Sequence, residues 1–158
     1  MMEQRIAIMQ PYIFPYIGYF QLVYATDVFV FYDDVNFINR GWINRNRILL
    51  NGKEQLFTIP CKDASQNKLI KDIEVLHDPK SMQKTLATIQ AAYKKAPFFA
   101  DVYPLMENIF GVQYEISISQ LAIDSVISVC DYLGVIRKFK ISSEEYHNQA
   151  LKKDTETI

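Results

Sequence analysis

The sequence predicts an α/β fold: an N-terminal β-α-β unit in a mostly parallel, or mixed, sheet, followed by a helical C-terminal half. Three observations lead there. Short apolar runs at residues 6–9 and 28–32 flank a segment, Ile17 to Ala25, suited to the helical crossover that parallel strands need. A proline- and glycine-bearing break from Gln10-Pro11 to Gly18 separates the first run from that segment. Beyond Asp78 the apolar residues recur mainly at helical spacing.

Composition narrows the function. A chain of 158 residues, 49% hydrophobic and 22% charged, reads as a soluble α/β domain over 1–145 with a polar tail at 146–158. Its net charge of −1 gives no electrostatic case for nucleic acid or an anionic membrane. No uncharged apolar stretch approaches the ~20 residues of a membrane span. Glu3 and Arg5 interrupt the N-terminus and no small-residue cleavage site follows, so no signal peptide is expected. Cys61 and Cys130 lie far apart in no metal-spaced motif and read as small buried apolar residues. A cytoplasmic location is expected, with no metal, and no motif specifies a cofactor.

In chain order, the first strand stops at Gln10, because Pro11 and Pro15 remove backbone donors. Gly18 opens the crossover helix, either as a tight connection under aromatics or as a close approach for a ligand. The second strand ends at Asp33-Asp34. From Val35 to Lys53 there is no acidic residue, and NRGWINRNR reads as a loop. Its arginines, Arg40, Arg45 and Arg47, either pair with Asp33 and Asp34 or grip a carboxylate or phosphate in two-point fashion. Asn51-Gly52 is a hairpin turn joining residues 48–50 to 55–59. A strand is expected over 69–76, and Asp78-Pro79 starts a helix that ends before Pro97. Residues 98–110 read as a broken helical segment, with Asp101 as a cap and Pro104 as a kink or restart. Ser117 to Leu133 is the clearest helix, with a capping-box start and Gly134 as its stop. Val135 to Ile141 is a further strand, and the tail is a marginal helix or a frayed end.

In open α/β sheets, ligands bind outside the carboxyl ends of the strands. Gln10, Asp33 and Asp34 stand at those ends, and the arginine run follows. The expected site therefore has Asp33 and Asp34 as candidate catalytic carboxylates. Gln10, Tyr16, Gly18, Tyr19, Arg40, Asn44, Arg45 and Arg47 would contact the substrate. A carboxylate base needs reach and a suitable pKa, but paired aspartates closing a strand are also common turn formers.

The chain resembles the WbqC-like family of bacterial proteins. The motifs are Gln10-Pro11, Pro15-Tyr16-Ile17-Gly18-Tyr19-Phe20, Asp27-Val28-Phe29-Val30 with Asp33-Asp34-Val35, and Asn44-Arg45-Asn46-Arg47-Ile48. Ala92-Tyr93-Lys94-Lys95-Ala96-Pro97-Phe98 and Tyr132-Leu133-Gly134 follow in the family's order. The resemblance implies a place in O-antigen or other surface-polysaccharide biosynthesis. It implies acyl or aminoacyl transfer to a nucleotide-linked aminosugar. The alternative is a non-catalytic module that binds a nucleotide or nucleotide-sugar and assists a partner enzyme. The resemblance also implies a longer C-terminal segment, so the chain is expected to be a shortened member. Tyr16-Ile17-Gly18-Tyr19 stands where nucleotidyltransferases carry a His-x-Gly-His motif, so a nucleotidyltransferase- or Rossmann-like sheet is the expected architecture.

Overall fold

The computed structural model describes residues 4–146. Residues 147–158, most of the expected polar tail, lie outside that range. Three strands, β1 (Ile6–Met9), β2 (Val28–Phe31) and β5 (Lys138–Ile141), form a parallel sheet in the order β1-β2-β5. A separate antiparallel hairpin pairs β3 (Arg45–Leu50) with β4 (Lys53–Thr58). Five helices complete the described fold: α1 (Ile17–Ala25), α2 (Pro79–Tyr93), α3 (Phe99–Phe110), α4 (Ile118–Tyr132) and the short α5 (Ser142–Glu145).

The β-α-β unit is present as expected, with Ile6 opposite Val28 and Met9 opposite Phe31. All four β2 residues are buried, as suits a central parallel strand. Alternation sends Phe29 and Phe31 to one face, where they meet Phe139 of β5 and Tyr19, Phe20 and Val23 of α1. Ile123, Val126 and Cys130 of α4 join the same cluster. A second cluster lies under the hairpin, where Ile43, Phe57 and Ile59 pack against Met82, Ile89, Ile109 and Phe110 of α2 and α3. Helix α4 ties the two together, because its first turns give Ile118 and Leu121 to this second cluster.

Local chemistry explains the boundaries. Asn51 and Gly52 both take positive φ, 51° and 75°, the backbone a two-residue hairpin turn requires. The Asp78 carboxylate accepts from the amides of Lys80 and Ser81, with Pro79 at the first helical position of α2. Ser117 caps α4 by accepting from the Gln120 amide, but the Gln120 side chain turns to Asp124 instead of closing a capping box.

Several expectations need correction, and the strand expected over 135–141 begins only at Lys138. Residues 69–76 are not a strand: Ile70–Asp72 is a 3-10 turn, and only isolated bridges follow, Cys61 with Val75 and Glu74 with Ser117. This stretch is threaded between several segments, with Ile70 N–H donating to Val35 O and Val75 N–H to Ile116 O. Residues 99–110 form one helix containing Pro104, because both Pro104 and Ala100, whose carbonyl the proline leaves free, are solvent-exposed. Asp101 sits inside the first turn of α3, while the cap position is held by Phe98 in the left-handed region at φ 62°.

Candidate functional site

The parallel register sets the ends of β1 and β2 at one edge of the sheet, with Tyr32 N–H donating to Met9 O at 2.8 Å. Gln10 and Asp33 therefore leave the sheet on the same side. Their surroundings differ. The Gln10 carbonyl accepts from the Tyr19 hydroxyl at 3.0 Å. Tyr19 is buried, and burial, then Tyr12 and Cys130, push its hydroxyl far above the ordinary tyrosine range. Tyr19 therefore holds the turn from inside the core instead of lining a surface.

Asp33 and Asp34 are both buried. The Asp33 carboxylate accepts from Ser142 Oγ (3.1 Å), Ser143 N–H (3.0 Å) and Ser143 Oγ (2.8 Å). Asp34 faces the same Ser142 Oγ, whose one proton the two carboxylates share. These contacts join the end of β2 to the first turn of α5 just beyond β5, so that part of the sheet's carboxyl edge is occupied by its own side chains. Among the ion pairs of the described residues, none joins these aspartates to Arg40, Arg45 or Arg47. The two serines are residues the sequence reading missed; a Ser-Ser pair directly after an apolar run is the signal that could have found them.

A cleft opens beside this edge, between the turn after β1 and the start of the hairpin. Ile13 N–H donates to Ile43 O at 3.1 Å, and Asn46 Nδ2 donates to the carbonyls of Ile13 (3.1 Å) and Phe14 (2.5 Å). Phe14 has φ 42°, so this amide holds a turn that an L-residue takes reluctantly. The result is a cleft of about 260 Å³ lined by Tyr12, Pro15, Tyr16, Trp42, Asn46 and Arg47. The room left by Gly18 is filled by the Tyr16 ring, which a Cβ there would strike, and Tyr16 stays 71% exposed at the mouth. Burial, then the nearby Tyr16, pushes the Tyr12 hydroxyl above its ordinary value.

The arginine run is strand, not loop, from Arg45 onward, so Arg45 and Arg47 fall on one face by alternation. Both guanidiniums lie over the Trp42 ring, at 5.6 Å and 4.8 Å from its centroid. Arg45 Nε donates to Gly41 O at 2.8 Å, which fixes it against its own turn. Arg47 makes an exposed ion pair with Glu54 at 3.0 Å, an interaction of the kind worth at most ~1 kcal/mol. Arg47 is thus a positioned cation whose present partner is weakly held.

Of the expected contact residues, the cleft brings together Tyr16 and Arg47, while Arg45 lies over Trp42 without lining it. Arg40 is exposed on the preceding turn at φ 61°. Asn44 spends its amide on Ile59 O (2.9 Å) and Cys61 Sγ (3.8 Å), joining the two ends of the hairpin. Tyr12, Pro15, Trp42 and Asn46 complete the lining. Among the described residues, no group of three or more His, Cys, Asp or Glu is arranged to hold a metal ion. No helix among them is long and apolar enough to cross a membrane.

Comparison with known proteins gives kinship without an activity. An uncharacterized protein of Mycobacterium tuberculosis, Rv1507c, is 29% identical over 134 residues, which is 84% of this chain. The chain spans 57% of that relative's length. No solved structure matches it. The model of the WbqC-like protein family matches residues 10–157, nearly the whole chain, and the chain belongs to that family.

Proposed function

We propose that this chain binds a nucleotide-linked aminosugar in bacterial surface-glycan biosynthesis, in the cytoplasm, and presents it to a partner enzyme for acyl or aminoacyl transfer. The observation that carries this reading is the cleft: one positioned guanidinium, Arg47, beside an exposed tyrosine ring and an indole. A diphosphate suits Arg47, since guanidinium binds phosphate oxygens in a two-point fork. A sugar or base face suits Tyr16 and Trp42, whose rings offer apolar contact at low entropic cost. The cleft stands past the carboxyl end of β1, where ligands of parallel sheets are held. This placement favours descent from a nucleotidyltransferase-like sheet.

Presentation is favoured over catalysis by the state of Asp33 and Asp34. Both are buried, and they share the Ser142 hydroxyl between them, so the candidate base positions already serve the fold. The test is a thermal-shift panel of UDP, ATP and nucleotide-sugars. A ligand at a hundred times its dissociation constant adds about 2.7 kcal/mol of stability. A nucleotide-sugar is expected to raise the midpoint, and a flat panel would refute the reading. Turnover of an aminosugar acceptor by the purified protein alone would replace presentation with transfer by this chain itself.

A further inference from the structure

The arginine run carries no acid of its own: no Asp or Glu stands between Asp34 and Glu54. The hairpin then brings Glu54 back to that run, and to one arginine in particular. In the β3-β4 register Leu49 faces Glu54 and Arg47 faces Leu56, so Arg47 and Glu54 are diagonal neighbours on one face of the ribbon. Arg47 Nη1 donates to Glu54 Oε2 at 3.0 Å. Among the ion pairs of the described residues, neither side chain has another partner. The first carboxylate after Asp34 therefore sits on the cation that lines the cleft.

The pair does not hold the guanidinium in place by itself. Arg47 also lies over the Trp42 ring at 4.8 Å from its centroid, a contact that needs no carboxylate. Nor does Glu54 fill the fork. It engages Nη1 through one oxygen, and among the described residues no acceptor takes a hydrogen bond from Nε or Nη2. The two side chains are 50% and 69% exposed, so the pair opens at little cost. A phosphate arriving at Arg47 nevertheless meets a like charge there, and it must displace that charge or sit beside it. Either course subtracts from its affinity.

We propose that Glu54 is an internal competitor for the cleft: it occupies Arg47 between ligands, and a diphosphate must displace it. This rests on the reading of the cleft as the place of a diphosphate. A diphosphate prevails because it carries more charge than one carboxylate and engages the fork at two points. Glu54 thus lowers the affinity of the site, and neutralising it should tighten diphosphate binding about two- to fivefold, the scale of an exposed ion pair.

The experiment titrates UDP calorimetrically into four proteins: wild type, Glu54→Gln, Arg47→Ala and the double variant, with thermal midpoints measured alongside. Glu54→Gln is expected to bind about two- to fivefold more tightly than the wild type. In the Arg47→Ala background the same change is expected to bring no gain, because the carboxylate then has no guanidinium to occupy. An equal gain in that background would make Glu54 a general surface charge and overturn the proposal. Weaker binding by Glu54→Gln would make it a support for Arg47 and overturn it as well. Binding that falls in Arg47→Ala but is unchanged in Glu54→Gln would remove the competitor alone and leave the cleft reading in place. No binding by any of the four would overturn the cleft reading, and this proposal with it.

Discussion

Replacing Asp33 with alanine separates a structural carboxylate from a catalytic one. The residue is 3% exposed, and its carboxylate accepts from Ser143 N–H and Oγ at 3.0 and 2.8 Å and shares the single Ser142 hydroxyl proton, at 3.1 Å, with Asp34. Bonds to an ionised group are each worth about 1.5–3 kcal/mol. The total is reduced because the Ser143 donors are only partly buried and can turn to water, and because removing the carboxylate also removes its desolvation cost. The expected loss is about 2–4 kcal/mol. For a domain of this size, roughly 2–4 °C accompanies each kcal/mol, so the midpoint should fall by about 5–15 °C. Urea and thermal denaturation measure it. Asp33→Asn, which keeps one carbonyl acceptor, should lose less. A midpoint for Asp33→Ala within about 2 °C of the wild type would refute the reasoning. Loss of a wild-type activity without loss of stability would assign the carboxylate to chemistry instead.

Other consequences are as open to measurement. Phe29 is fully buried against Tyr19 and Phe31, each with ring centroids 5.3 Å away, so Phe29→Ala should cost about 3–5 kcal/mol in chemical denaturation. A loss below ~1 kcal/mol would mean the sheet core is not where this ring packs. The backbone N–H of Arg5 donates to Asp27 at 2.8 Å and, as the largest cause, holds that carboxyl below its ordinary value; the Arg5 guanidinium adds to the effect. A depressed folded value stabilises above the ordinary carboxylate range and stops doing so as pH falls through the folded value. The stability gap between wild type and Asp27→Asn should therefore close on acidification below about pH 4; a gap independent of pH would contradict it. Burial pushes the Cys61 thiol from 9.0 up to about 11, against a weaker lowering by the Asn44 amide. Alkylation at pH 8 should then be about a hundredfold slower in the native chain than in the unfolded one. Equal rates would place Cys61 at the surface.

Much of the fold was legible in the sequence because local signals and tertiary structure agree. The apolar runs 6–9 and 28–31 became parallel neighbours, Asn51-Gly52 made its turn, and Asp78-Pro79 and Ser117 began their helices. The failures share a cause, which is that long-range contacts decided the outcome. Residues 69–76 alternate well enough for a strand, but their amides and carbonyls are claimed by several distant segments, so no ladder forms. Pro104 reads as a break, yet no local rule says that its helix face will be solvent-exposed.

The site was legible in part for the same reason. Sequence order puts Asp33 and the arginines near one edge, but the partners of Asp33 lie more than a hundred positions away at Ser142 and Ser143. The alternation of Asn44-Arg45-Asn46-Arg47 carried more than its loop reading: it divides amides that brace the fold from guanidiniums that flank Trp42.

The cleft assignment is tested most directly by calorimetric titration of a nucleotide-sugar into wild type and Arg47→Ala, with thermal midpoints measured alongside. Saturable binding to the wild type is expected. Arg47→Ala should bind at least about tenfold more weakly, a loss of ~1.4 kcal/mol, at a midpoint changed by no more than about 4 °C, since its ion pair with Glu54 and its contact with Trp42 are both at the surface. Equal affinity in the two proteins, or no binding by either, would contradict it.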